Sequence, residues 1–530
     1  MKTNIFKYIF FIVVIILIIL SVYYIRKDEK NKNGEQPKEI EQVEKIKLTD
    51  LRIGVAQFDT INPILSNNKS VQEISRLIFD SLLILDKEYK LQPGIAKEYS
   101  KIDEYNYIIK LNENIKWHNG TELTSRDVKF TIDRIKDSNS IYSYNLEHVI
   151  ALEIIDNYTI RIKLDQEVPF FEYNLTFPIL SNDYYYEQDF ITTQKNNNPV
   201  GTGLYKISEV NDDVIILKRN QDYWKTNEDF VLDTININIY SSIGELYNAF
   251  KIDNIDLIST SILNIEEYIG TIGFNKKEYK GREYDFLAMN CENIALNNLE
   301  VRQVISCSID KANLISRVYN NQYYVANFPL DYESWLNNIE YKVATYDSNK
   351  AKEILSKNGW NNSNNVWQKR INNRNVKLEF DLVVLDKEKR VQVADIIKEQ
   401  LENVGIKINV KKVNQRSYDN YLENKNYDII LAGTYFSFSP DLILYFGEGN
   451  LSNFKDEESL GIINDMKNIT DDSLLKEKFS RLVEIYNAQI PYVSLTFSKN
   501  TVIYSNNLMG DISPNNYNIF YNVQNWYREY

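Results

Sequence analysis

Apolar positions alternate with polar ones over short stretches of the chain, and between these stretches they recur every three to four residues. Leu51-Arg52-Ile53-Gly54-Val55 has the period of two of a strand. Val71 to Leu85 puts Ile74, Leu77, Ile78 and Leu82 on one face and predicts an amphipathic helix. Tyr105 to Trp117 alternates again, with Tyr107, Ile109 and Leu111 on one side, and Asn119-Gly120 supplies a turn behind it. Thr124 with Asp127 three residues on predicts a helix N-terminus, because a hydroxyl and a carboxylate at that spacing satisfy exposed amides. Val128, Ile132 and Ile135 form the buried stripe of that helix. Strands are predicted over Leu204 to Val210, Val214 to Lys218 and Thr234 to Tyr240. Val391 to Val404 predicts a helix ending at Gly405, followed by a strand over Ile406 to Val410. Leu474 to Gln489 predicts a helix stopped by Pro491. No repeat recurs at a fixed period, so the mixture predicts an α/β chain with more than one sheet.

One stretch follows neither period. Tyr8 to Ile25 runs for 18 residues without a charge, and at about 1.5 Å per residue that reaches the thickness of a bilayer core. A cleaved signal peptide would have a shorter apolar region and small residues at its end. Ser21-Val22-Tyr23-Tyr24 is a poor cleavage site, and no Cys follows to be lipidated. Residues 1–26 are therefore expected to be a transmembrane anchor and residues 27–47 a polar linker. A single water-facing body starts near residue 48.

Composition narrows the chemistry of that body. The 530 residues include 2 His and 2 Cys, which excludes a Cys/His zinc framework, an iron–sulfur protein and a disulfide-rich scaffold. A net charge of −13 disfavours a nucleic-acid binder, which needs a basic surface. No G-x-S-x-G, H-E-x-x-H or P-loop occurs. Gly201-Thr202-Gly203 lacks the third glycine of a dinucleotide fingerprint, because Lys206 stands there. His118 and His148 have no companion ligand, and Glu266-Glu267 and Asp471-Asp472 fit helix ends better than acid catalysis. Cys291 and Cys307 are either a pair or two free thiols. No enzyme, cofactor or metal site is expected.

The stretch Leu91 to Asp137, with Lys116-Trp117-His118-Asn119-Gly120-Thr121 at its centre, resembles the signature region of the extracytoplasmic solute-binding proteins of oligopeptide and dipeptide ABC importers. Pro199 to Ile207, Asn220 to Trp224, Leu299 to Ile315, Tyr346 to Trp360 and Ile485 to Phe497 resemble further segments of that family, in order. The resemblance implies a three-lobed, periplasmic-binding-protein-like α/β fold with a ligand held in a hinged cleft. Domain I would comprise residues 48–85, 199–283 and 494–530, domain II residues 86–198 and domain III residues 284–493. It also implies a peptide or peptide-like ligand, an ABC importer permease as partner, no nucleic acid, and a monomer. A membrane-anchored sensor or accessory protein with a non-peptide or N-blocked ligand is the alternative, and a metal-complex binder is a variant of the first reading.

In many peptide-binding members an Asp of domain III accepts the ligand's α-amino group. By the resemblance Ser437 occupies that place, and Asp441 reads as a helix cap. Gly433, Thr434, Tyr435, Phe436 and Phe438 would line the cleft, although strand alternation turns one or two of the aromatics inward. Asn68 and Lys69, in the loop after Asn62-Pro63, would border it. Gly201 to Gly203 would serve backbone geometry.

Overall fold

The structure is a computed structural model that describes residues 13–24, 26–27, 46–225, 230–261, 265–270, 273–330, 334–337 and 345–530. It divides into two units, residues 1–47 with Tyr530 and residues 48–529. In the first, residues 13–24 are helical, and the side chains of Ile15, Leu17, Ile19 and Leu20 are exposed. Residues 8–12 and 25 of the expected span, and most of the expected linker, lie outside the described residues. Among the described residues no helix is long and apolar enough to cross a membrane, so the expected anchor is not supported there.

The second unit is organised by one eleven-stranded sheet. Its order is Lys407–Val413, Glu379–Leu385, Ile429–Tyr435, Phe274–Met289, Tyr492–Ser505, Leu257–Thr260, Asp50–Ala56, Thr234–Tyr240, Val214–Arg219 and Tyr205–Val210, with Tyr323–Val325 pairing to Tyr492–Ser505. Two long antiparallel strands, Phe274–Met289 and Tyr492–Ser505, run through both halves of this sheet. Their ladder breaks between Lys280 and Tyr284, where Gly281, Arg282 and Glu283 have no ladder partner on Tyr492–Ser505. A Cβ on Gly281 would lie 2.0 Å from Ser498 Oγ, so the break needs a residue without one.

Each half has its own core. Leu51, Ile53, Ile235, Ile237 and Leu257 pack with a second, four-stranded sheet of Ala96–Asp103, Asn106–Leu111, Thr159–Leu164 and Val149–Asp156 and with the helix Ser125–Lys136. The other half sandwiches its strands between two clusters. Leu382, Val384, Leu431, Val493 and Leu495 face the helix Glu388–Asn403 on one side. Phe286, Ile430, Tyr492 and Phe497 face the helix Asp472–Gln489 on the other. Residues 494–497, expected in domain I, thus pack with residues 284–493.

Most predicted elements appear within a few residues of their expected ends. Thr124 and Asp127 form a capping box on the helix Ser125–Lys136, and Gly405 ends its helix with φ +88°. The helix expected over Val71 to Leu85 is shorter, Lys69–Ile78. Phe79 turns extended, and Leu83–Leu85 pairs as a strand with Leu91–Pro93, so sheet pairing overrides the helical spacing of Leu82 and its neighbours.

Candidate functional site

The break in the two long strands opens on a cleft walled by both halves of the sheet. Tyr89, Tyr173 and Asn516 come from one side, and Leu330, Trp335, Phe436, Ser437, Phe438 and Pro440 from the other, while Gly281, Arg282 and Phe497 sit on the crossing strands. Its enclosed space is about 50 Å³, so the two walls lie close together and the cleft is narrower than an open small-molecule site of about 300–1,000 Å³. A more open polar hollow of about 450 Å³, lined by Asp59, Thr60, Ser138 and residues 191–194, lies on one half alone.

Its wall is built from the strand Ile429–Tyr435 and its continuation. Alternation sends Phe436 onto the core, where it meets Tyr284 at 5.3 Å and Phe497 at 6.1 Å between ring centres. Phe438 crosses to the opposite side and stacks on Tyr89 at 6.1 Å, with Tyr517 edge-on at 5.5 Å. Ser437 is exposed into the cleft, and its Oγ accepts from the Ser439 amide at 3.2 Å. Of the residues singled out in the sequence, Phe436, Ser437 and Phe438 come together here. Tyr435 is exposed and stacks on the guanidinium of Arg282 at 4.6 Å. Thr434 pairs with Tyr284 in the ladder, and Gly433 lies against the Arg390–Asp285 ion pair. Asn68 caps the helix Lys69–Ile78 by accepting from the Ser70 amide at 2.9 Å. Lys69 binds Asn500 Oδ1 at 3.2 Å. None of these five, Tyr435, Thr434, Gly433, Asn68 and Lys69, is among the residues lining the cleft.

The other carboxylates of this segment are occupied. Asp441 Oδ1 accepts from the Ile443 amide at 2.9 Å, just ahead of the short helix Ile443–Phe446, and burial raises its pKa. Asp428, at the far end of the strand, accepts from Asn293 Nδ2 at 2.8 Å and the Asp381 amide at 3.0 Å.

Arg282, Tyr89, Tyr173, Trp335 and Asn516 were not singled out in the sequence. They stand on separate segments, so no spacing rule joins them. The one usable signal is that Arg282 lies at the expected end of domain I. Arg282 donates from Nε to the Phe436 carbonyl at 2.5 Å, and its guanidinium lies 3.9 Å from the Phe438 ring. Trp335 Nε1 donates to Tyr173 OH at 3.1 Å, and the Trp335 amide donates to the Glu88 carbonyl at 2.8 Å.

The segments that carried the family resemblance meet away from the cleft. His118 Nδ1 accepts from the Gly201 amide at 3.4 Å, which leaves Nε2–H to donate to the Gly203 carbonyl at 3.0 Å. Burial lowers the His118 pKa to about 4. Asp80 is half-buried and accepts from Thr202 Oγ1, Tyr223 OH and Trp224 Nε1 at 3.0, 3.2 and 2.9 Å. Arg302 donates to the Gln489 carbonyl from Nε and Nη2 at 3.0 and 2.8 Å, at the end of the helix Asp472–Gln489. Cys291 and Cys307 are free, and burial raises both thiol pKa values.

The comparisons with known proteins agree with this architecture. The chain is 22% identical to the oligopeptide-binding protein AppA of Bacillus subtilis, over 90% of this chain and 91% of that one. It is 24% identical to heme-binding protein A of Haemophilus influenzae, over 82% and 84%. Among solved structures, HbpA2 of Haemophilus parasuis superposes with a TM-score of 0.74 at 21% identity, over 89% of this chain and 98% of that one. Residues 90–450 match the family model described as bacterial extracellular solute-binding proteins, family 5, middle region. A cleft walled by both halves of a shared sheet and a family match over most of the chain lead to one conclusion: the chain belongs to the family 5 bacterial extracellular solute-binding proteins.

Proposed function

We propose that this protein captures a peptide or peptide-like solute in the cleft at the strand crossing and delivers it to an ABC importer. The observation that carries the reading is the position of the cleft. Its walls come from both halves, and the two chains that join them lose their ladder at its floor, which is where a hinge can bend. One lobe would consist of residues 48–280 and about 498–529, including the four-stranded sheet over residues 86–198, and the other of residues 284–497. The strand Ile429–Tyr435 adds support. It pairs with Glu379–Leu385 only at Ile429 and Ile430, so its later residues have one edge without a strand neighbour among the described residues. Along that edge the Leu431 carbonyl already accepts from Tyr418 OH and Arg390 Nη2 and Gly433 lies against the Arg390–Asp285 pair, so an extended peptide backbone would pair only beyond them, at Thr434 and Tyr435, through main-chain hydrogen bonds that select little among side chains.

Relatives named for oligopeptide and for heme share the family, so the family alone leaves the solute open. Mass spectrometry of what co-purifies with the full chain tests the reading. A solute carried by the wild-type protein and lost from Ser437→Trp, which fills the cleft, is the expected result. A solute retained equally by both rejects the cleft as the site.

A further inference from the structure

Phe438 packs into the half of the molecule to which it does not belong. Phe436, two residues back, meets Tyr284 and Phe497 in the core of its own half. Phe438 joins instead a small apolar cluster whose other members all come from residues 84–173 and 517–521. Its ring stacks on Tyr89 at 6.1 Å and 22° from parallel, and it meets Tyr517 edge-on at 5.5 Å. The Arg282 guanidinium lies 3.9 Å from its centre. Each of these partners is fixed from behind. Tyr89 OH accepts from the Asn516 amide and from Asn516 Nδ2 at 3.2 and 3.3 Å. Arg76 lies 4.0 Å from the centre of the Tyr517 ring, and its Nη1 donates to Tyr517 OH at 3.1 Å. Arg282 Nε donates to the Phe436 carbonyl at 2.5 Å. Tyr89 and Phe170, both of this cluster, have φ of +62° and +53°. Bulky side chains rarely adopt that backbone, and such strain gathers at ligand clamps.

The cluster is thus a preformed aromatic slot, and the protein's own Phe438 fills it. Stacked and edge-on rings with a cation at one side attract a π system beyond its buried area. An aliphatic or charged side chain makes neither contact. The space left between the walls is about 50 Å³, below the roughly 150 Å³ of a cavity that takes up benzene. A solute side chain therefore enters the slot only when the Phe438 ring leaves it. We infer that Phe438 is a stand-in for the solute: an aromatic side chain of the bound peptide displaces it and takes its place against Tyr89, Tyr517 and Arg282. The displaced ring sets a threshold for entry. Only a group that restores the contacts Phe438 gives up crosses it without net loss, so the favoured solute is a short peptide carrying an aromatic residue. The inference rests on the cleft being the solute site.

The test uses the full chain and the tripeptides Ala-Phe-Ala, Ala-Leu-Ala and Ala-Lys-Ala, read by calorimetry. Wild type is expected to bind Ala-Phe-Ala about tenfold more tightly than the other two. Phe438→Ala removes the competitor and is expected to bind Ala-Phe-Ala about tenfold more tightly than wild type does. A second measurement does not depend on that variant. With Phe438 replaced by para-fluorophenylalanine, the fluorine resonance is expected to move to its solvent-exposed position as Ala-Phe-Ala saturates the protein. A ring that only packs the halves together would not move. Equal binding of the three tripeptides, weaker binding by Phe438→Ala, a fluorine resonance that stays in place at saturation, or no binding of Ala-Phe-Ala to either protein overturns the inference. Ser437→Trp separates the two readings. If it abolishes tripeptide binding while the fluorine resonance of the labelled chain stays in place, only the displacement falls. If it leaves binding intact, the cleft itself is rejected.

Discussion

His118 shows how single residues tie distant segments together. Its ring spans the Gly201 amide and the Gly203 carbonyl as a neutral imidazole, so protonation would set a charged N–H against an amide donor. With the folded pKa near 4 and the unfolded value about 6.5, the unfolded chain binds more protons between those limits. Stability therefore rises with pH through that window, and the contribution is fully lost below about pH 4. Denaturant melts of His118→Gln are expected to lose a pH dependence of at most about 3 kcal/mol across pH 4–6.5; an unchanged slope would show that His118 does not titrate there. Gly201 answers to a different constraint. A Cβ would stand 1.9 Å from the Ile78 carbonyl oxygen, a backbone atom that cannot rotate away. Gly201→Ala is expected to destabilise by about 1–3 kcal/mol in the same assay. These motif residues were legible in the sequence because they are contiguous, but their use is structural, and the motifs therefore reveal the fold far better than the ligand.

Among the elements, those with local codes were legible. The Thr124–Asp127 capping box is present, with Asp127 Oδ2 accepting from the Thr124 amide at 2.7 Å, and Thr124→Ala is expected to cost about 1 kcal/mol in thermal unfolding. Asp127 Oδ1 also accepts from the Asn182 amide at 2.8 Å, and burial raises its pKa to about 6. Its trend opposes that of His118: stability falls as pH rises toward 6, because the folded state holds the proton longer. Elements decided by partners were not legible. Leu83–Leu85 became a strand because Leu91–Pro93 lies opposite. The cleft was half legible for the same reason: Ser437 and Phe438 share one segment, whereas Tyr89, Tyr173, Trp335 and Asn516 converge through topology alone. The broken ladder gives an element-scale prediction. Amides of Gly281 to Glu283 should exchange faster than those of Phe286 to Met289, and equal protection would argue against bending there.

For the whole molecule, the contacts that cross the cleft set the balance between its conformations. Trp335 reaches Tyr173 and Glu88, Lys101 binds Asn468 at 2.9 Å, and Lys467 lies 3.7 Å from Glu167. Lys90 and Lys476 lie over the Trp335 ring at 5.2 and 5.7 Å. Surface ion pairs contribute little, so the aromatic contacts dominate the crossing: Trp335 with Tyr173, and Phe438 with Tyr89 and Tyr517. Trp335→Ala is expected to increase the radius of gyration measured by small-angle scattering while leaving the melting of each core unchanged. No change in size would mean that the halves are held elsewhere.

The place of Tyr492–Ser505 in the sheet also governs the order of assembly. This strand lies between Phe274–Met289 and Leu257–Thr260, although it is encoded in the last tenth of the chain. Until it emerges from the ribosome, an inner edge of each half-sheet lacks its neighbour, and the nascent chain carries unpaired strand edges that invite aggregation. The strand that joins the two half-sheets is thus made after almost all the strands it holds together, and both halves wait on it to close.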